Sequence, residues 1–245
     1  MASKFPLVLA GSTDDVARRL VRQWAKFGAR LLVPRELSER GWRYHVAVKR
    51  PSYGVAGGRR FASSQIGGVL VRLSRITAEE LPHIEAADRE YVAAEMTAFL
   101  AAWLSSLRCP VLNRPVPICL FGPNWRPEHW VRLAAQVGLP VRPIRREVPS
   151  VVVRNKTPKR TVVTLTVVGN RCFGVAEGNL KTNALRLARA AEVNLLAGHF
   201  DGPGRRSLFL GADPNPDLSA DARDAVLELL TVGPGGRRLA KRVTP

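Results

Sequence analysis

Apolar and polar positions follow two rhythms along this chain. Leu7–Ala10 is an unbroken apolar run, the pattern of a strand covered on both faces. Gly11-Ser12-Thr13-Asp14-Asp15 follows with a turn, a capping hydroxyl and two acids. That combination favours a helix start, because side-chain oxygens take up free N–H groups and negative charge suits the positive end of the dipole. Val16, Leu20, Trp24 and Phe27 recur at helical spacing, and Gly28 ends the stripe. Arg30–Val33 reads as the next strand. A strand–helix–strand opening predicts a parallel sheet with helices on its faces. Gly11-Ser12-Thr13 stands where a phosphate could meet a helix N-terminus. It lacks a Gly-rich fingerprint, and Asp14 and Asp15 would repel an anion, so it reads as an ordinary strand-to-helix turn.

Further along, Tyr44–Val48 and Val69–Leu73 alternate like strands, and the Gly-rich stretch Pro51–Ala62 between them reads as a mobile surface loop. Thr77 with Glu80 has the spacing of a capping box for a long helix. Tyr91, Val92, Met96, Phe99, Leu100, Trp103, Leu104 and Leu107 form its apolar face. Pro127 suits the first position of another helix, lined by Trp130, Leu133, Ala134 and Val137 and closed by Gly138. Leu139–Ile144 reads as an edge strand. Thr161–Val168 and Arg171–Ala176 flank Gly169-Asn170, a two-residue hairpin turn. A helix near Thr182–Ala191, strands at Val193–Phe200 and Ser207–Leu210, and a helix near Ser219–Leu230 complete the pattern.

Composition narrows the function classes. The 245 residues are 46% hydrophobic, enough for a real core. No apolar run approaches the ~20 residues of a membrane span, and the N-terminus lacks a signal-peptide pattern, so a cytoplasmic protein is expected. Cys109, Cys119 and Cys172 have neither disulfide-framework nor zinc spacing, and the four histidines form no metal motif. The net charge of +18 invites anionic partners. Nonspecific nucleic-acid binding is therefore a possible role, although no helix-turn-helix, zinc finger, KH loop or RNP pattern is present.

The segment Phe209-Leu210-Gly211-Ala212-Asp213-Pro214-Asn215-Pro216 resembles the closing metal-binding segment of ATP-grasp ligases, roughly F-L-E-V-N-P-N-P. Other pieces occur in the same order. Val69-Leu70-Val71-Arg72-Leu73-Ser74-Arg75 is a strand ending in arginines, and Leu112-Asn113-Arg114-Pro115 matches an N-x-P segment. Gly138-Leu139-Pro140-Val141 matches G-L-x-V-P, and the hairpin around Gly169-Asn170 matches R-V-x-V-V-G-D-x-V-F-A. Together they are similar to the ATP-grasp branch of graspetide-type peptide ligases. The resemblance implies an α/β chain: a pre-ATP-grasp-like parallel-sheet domain over residues 1–148, a reduced α+β C-terminal lobe over 149–233, and a basic flexible tail over 234–245.

The resemblance also implies what is missing. An intact member would use ATP and magnesium, held by acids and by a lysine-bearing central lobe. The family's catalytic arginine is here Thr164, its two metal-binding acids are His199 and Gly211, and its asparagine is Asp213. Asp201 could supply one ligand if the strand register slipped. Only residues 149–160, with Lys156 and Lys159, stand where the central lobe would be. Magnesium needs oxygen ligands and usually carboxylates, and a transferring phosphoryl group needs its charge neutralised. The expectation is a catalytically degenerate protein with no cofactor and no metal. It would bind a peptide or protein partner in a modified-peptide or natural-product pathway, through Arg72, Arg75, Asn113, Arg114 and Arg126. The alternatives are an active carboxylate–amine ligase completed by a partner chain, such as a second copy in a homo-oligomer, or a basic nucleic-acid-binding protein.

Overall fold

The computed structural model describes residues 4–46, 50–142 and 162–232. They divide into two compact units, described one at a time. The first holds the described residues up to Pro123 and those from Ser219 onward; the second is Asn124–Leu218.

In the first unit, β1 (Phe5–Leu9) is buried at every position, as its unbroken apolar run requires. It lies between β2 (Arg30–Leu32) and β5 (Ile66–Val71), and β6 (Val111–Leu112) completes a four-stranded sheet in the order β2-β1-β5-β6. All three pairings are parallel. Helix α1 (Asp15–Gln23) follows β1. Its cap is Asp14, whose Oδ1 accepts the Ala17 N–H at 2.8 Å, so the acid rather than a hydroxyl does the capping. Leu20 and Trp24 are buried while Phe27, the last of the stripe, is 41% exposed.

Several sequence expectations fail here. Pro51–Ala62 is not a loop but carries the hairpin β3 (Tyr53–Ala56) and β4 (Arg59–Ala62). Gly57 and Gly58 both adopt positive φ, +60° and +65°, the turn geometry that suits the twist of paired strands. Of the strand expected at Tyr44–Val48, residues 44–46 form none and 47–48 lie outside the described residues; Arg43 bridges to Tyr53. The Thr77–Glu80 spacing starts only a single turn, Ala78–Glu80. Pro82 disfavours helical backbone at Leu81, which sits at φ −120° and ψ 50°. The long helix α2 begins later, over Arg89–Ser106. Its Leu100, Trp103 and Leu104 are fully buried, whereas Tyr91 is 70% exposed and leaves the expected apolar face. Trp42 packs edge-on against Phe61, Phe99 and Trp103, which fastens the hairpin region to α2.

The last helix, α5 (Ala220–Val232), packs on β5 and β1. Gly67 and Gly68 make this possible. A Cβ on Gly67 would come within 2.6 Å of the Leu230 carbonyl oxygen, and one on Gly68 within 2.8 Å of the Leu230 Cα.

In the second unit, α3 (Pro127–Gln136) precedes the hairpin β7 (Val163–Val168) and β8 (Arg171–Phe173), then α4 (Leu180–Ala190), β9 (Leu195–Phe200) and β10 (Phe209–Asp213). The sheet order is β10-β9-β7-β8, antiparallel throughout. Leu165, Val167, Phe200 and Phe209 point to one face, where they form a core with Trp130, Ala134, Leu187 and Ala188 of α3 and α4. Within the expected edge strand at 139–144, only the bridge Val141–Phe209 is seen among the described residues.

The boundary expected at 148 therefore falls at 123, and α5 leaves the expected 149–233 lobe. The reason is burial. Trp130 and Ala134 of α3 reach the second unit's core, while Ala222, Ala225, Val226 and Leu230 are buried on a helix that packs on the parallel sheet. The expected linker at 149–160 and tail at 234–245 lie outside the described residues.

Candidate functional site

Parallel sheets present ligands at the carboxyl ends of their strands, where the strand order reverses. In the first unit that point lies between β1 and β5, and it holds Arg72, Arg75, Ser12, Asp14 and Glu80. Arg72 follows β5 directly. Its Nε donates to Asp14 Oδ2 at 2.8 Å, and the two side chains are 9% and 18% exposed. Asp14 thus caps α1 with one oxygen and holds Arg72 with the other. Ser12 donates both its N–H and its Oγ–H to Glu80 Oε2, at 2.8 and 2.5 Å. The carboxylate lies so close to Gly11 that a Cβ there would be 2.5 Å from Glu80 Oε1. The Arg18 guanidinium donates to the Ser12 carbonyl.

The candidate partner-binding residues have different fates. Arg72 is an internal ion-pair partner, not part of an open basic surface. Asn113, at the end of β6, is only 2% exposed. Arg114 is exposed but donates to the carbonyls of Ser105 and Leu107, at 3.3 and 3.2 Å. That places its cation on the free acceptors at the C-terminus of α2. Arg75 is exposed near Glu79, whose carboxyl is held below its usual value first by the Thr77 hydroxyl. Arg126 is exposed at the start of α3, in the second unit. The four first-unit residues thus follow the ends of β5 and β6, and Arg126 belongs to the other unit.

The family-derived positions of the second unit converge more closely. His199 on β9 pairs with Thr164 on β7 and with Gly211 on β10, and Asp213 lies opposite Ala197. Strand alternation puts Thr164, His199, Gly211 and Asp213 on one face, opposite to the core residues Leu165, Phe200 and Phe209. Thr164 Oγ1 and His199 Nδ1 share a hydrogen bond of 3.0 Å. Asp213 Oδ1 accepts the Asn215 N–H at 2.8 Å. A Cβ on Gly211 would meet no atom within 4 Å, so packing does not demand glycine there. The register that sets His199 against Gly211 leaves Asp201 beyond the strand, where its Oδ1 accepts the Leu208 N–H at 2.6 Å.

This donor set does not fit magnesium. The ion takes hard oxygen ligands in near-octahedral array. The row offers one carboxylate, already bonded to a backbone N–H, beside an imidazole engaged with threonine and a residue with no side chain. Among the described residues no three His, Cys, Asp or Glu side chains gather as a ligand group. The thiols are also poor nucleophiles. Burial raises the pKa of Cys109 and Cys119, and that of Cys172 to about 11, away from the reactive thiolate.

Sequence reasoning missed Glu80 as the partner of the Gly11-Ser12 turn, 68 positions away, and Asp14 as the partner of Arg72, 58 positions away. The turn itself was visible; its partners carried no local signal.

The chain resembles the macrocyclase MdnC bound with precursor peptide MdnA from Microcystis aeruginosa, with TM-score 0.64 and 14% identity over 92% of this chain and 99% of that one. It resembles a RiPP-associated ATP-grasp ligase from Chryseobacterium gregarium in complex with ADP and a leader and core peptide, with TM-score 0.61 and 11% identity over 93% and 96%. It also resembles the ATP-grasp ligase PsnB complexed with a phosphomimetic variant of minimal precursor, Mg and ADP, with TM-score 0.59 and 12% identity over 94% and 99%. No protein-family model and no curated protein sequence matches. The architecture is that of ATP-grasp ligases, a mixed α/β fold with one parallel and one antiparallel four-stranded sheet. Among the described residues no helix is long and apolar enough to cross a membrane.

Proposed function

We propose that this chain is a catalytically degenerate ATP-grasp-like protein that binds a peptide or protein partner in a pathway for a modified peptide or related natural product. The pathway reading is supported by the peptide-bound ligases that share its fold. The degenerate reading is carried by one observation: the row Thr164, His199, Gly211 and Asp213 keeps its strand register but holds a single carboxylate. Without acidic ligands and a phosphate-neutralising lysine, a phosphoryl group has little to stabilise its transfer. In this reading the central nucleotide-binding lobe is absent, which rests on the short chain length at residues 149–160.

Isothermal titration of the full chain with ATP and magnesium tests the reading. No heat beyond that of mixing is expected. Saturable binding below about millimolar, about −4 kcal/mol or stronger, would overturn it and favour an active ligase completed by a partner chain. A pull-down from the native host with the full chain, with and without ATP, is expected to recover the same partner in both cases.

A further inference from the structure

One exposed face of α1 carries a row of cations that has no assigned role. Arg19 and Arg22 lie on the helix, and Lys26 lies in the single turn Ala25–Phe27 that follows it. Residues three and four apart are neighbours on a helix surface, and like charges at that spacing are destabilising. Arg22 has Arg18, Arg19, Ala25 and Lys26 at those spacings, and no acid. The ion pairs among the described residues are Arg18–Asp15 and Arg72–Asp14. They leave Arg19, Arg22 and Lys26 without a countercharge from that part of the chain.

Two contacts extend the row. Arg223 on α5, 200 positions away, donates from Nη1 to Gln23 Oε1 at 3.3 Å and from Nε to the Ser219 carbonyl at 3.4 Å. Gln23 follows Arg22 and is four residues on from Arg19, so a fourth cation is tied to the same surface. At the far end, Lys26 Nζ lies 5.2 Å from the centroid of the Phe27 ring, which is 41% exposed. Arginine beside an exposed aromatic ring is the composition of an interface. The row is also short and bounded. From Arg19 to Lys26 it runs about 10 Å, two helical turns, and the exposed acids Asp15, Asp221 and Asp224 stand beside its ends. A nucleic-acid strand, with a charge every ~3.4 Å along its axis, would run on past those acids. A short segment with discrete carboxylates would not.

We propose that this face docks a short acidic helical segment of the partner, with carboxylates three and four residues apart meeting Arg19, Arg22, Lys26 and Arg223, and with Phe27 at the edge of the contact. Carboxylates at that spacing on a helix recur with the same rise as the cations of α1. Guanidinium forks match the planar geometry of a carboxylate. The inference rests on the reading that the chain binds a peptide or protein partner, and it adds the surface used and the charge of what binds there.

The test uses the full chain at low ionic strength and two labelled probes, an alanine-based helical peptide with glutamates at four-residue spacing and a thymidine oligonucleotide of equal charge. Binding is read by fluorescence anisotropy. Saturable binding of the peptide, tighter than that of the oligonucleotide, is expected. Arg22→Glu is expected to weaken it about tenfold, as an attraction becomes a repulsion. Arg19→Gln, which keeps helix propensity, is expected to weaken it about two- to fivefold. Arg40→Glu makes the charge change of Arg22→Glu at an exposed arginine outside α1 and α5, and is expected to leave binding nearly unchanged. No saturable binding of the peptide, or equal weakening by Arg22→Glu and Arg40→Glu, would overturn the surface and leave only diffuse attraction to a basic protein. Tighter binding of the oligonucleotide would also overturn it and assign the row to nucleic acid. The titration with ATP and magnesium judges the degenerate reading separately, because the α1 row shares no residue with the Thr164 face.

Discussion

The ends of β1 and β5 in the first unit and the Thr164 face of the second carry polar residues in opposite conditions. At the first, each group serves another: Asp14 caps α1 and holds Arg72, and Glu80 takes both donors of Ser12. At the second, Gly211 faces open space, and Asp213 turns back onto its own strand end. The difference teaches where side chains can change without losing the fold. Strands keep register through backbone hydrogen bonds and their buried face, so the other face can change its side chains freely. The first unit's loops have no ladder to hold them. There the side chains are the structure, and removing one breaks a link between distant segments.

The largest effect that tests this contrast is Asp14→Ala. It removes the cap of α1 and the partner of a mostly buried arginine, and about 2–4 kcal/mol of stability should be lost in urea denaturation. Asp14→Asn keeps the cap acceptor and should lose clearly less; equal losses would mean that the charge facing Arg72 carries the whole effect and the cap adds nothing. Next, Glu80→Ala strips Ser12 of its acceptor and should cost about 1–2 kcal/mol, with faster exchange of the Ser12 amide as the local readout. Retained protection of that amide would sink the claim that Glu80 closes the turn.

A pH effect follows in size. Burial raises the Glu36 carboxyl above its usual value, opposed by the N–H groups of Gly58 and Val33. The folded chain then holds this proton more tightly than the unfolded chain. The contribution is full below the unfolded value near 4.5 and is lost as pH rises through the raised value. Glu36→Gln should flatten that part of the stability profile, read from urea midpoints at successive pH values. An unchanged slope would show that another group sets it.

The smallest effect is expected at Gly211→Glu. With space around it and extended backbone, the change should stay within about 0.5 kcal/mol. A loss of several kcal/mol would mean that the Thr164 face is packed in solution and would erase the contrast between the two regions.

Much of the frame was readable in the residues. The βαβ opening, the Gly169-Asn170 hairpin and the Pro127 start of α3 rest on neighbours in sequence, and the structure keeps them. The Gly57–Gly58 turn was misread because glycines and arginines suggest a solvated loop. The aromatic contacts of Trp42 and Phe61 that pin the hairpin are made by residues far apart. The positions Thr164, His199, Gly211 and Asp213 were named from a family pattern, and the strand register does bring them to one face.

By itself, the order of residues determined the elements whose signals are local, such as period, cap and turn, and the side chains that the row Thr164, His199, Gly211 and Asp213 can offer. Tertiary structure decided which arginines are spent on the protein itself, where α3 and α5 are buried, and which carboxylate meets which turn. Those outcomes depend on groups dozens of positions apart reaching the same few ångströms, and nothing in a local stretch of sequence encodes that distance.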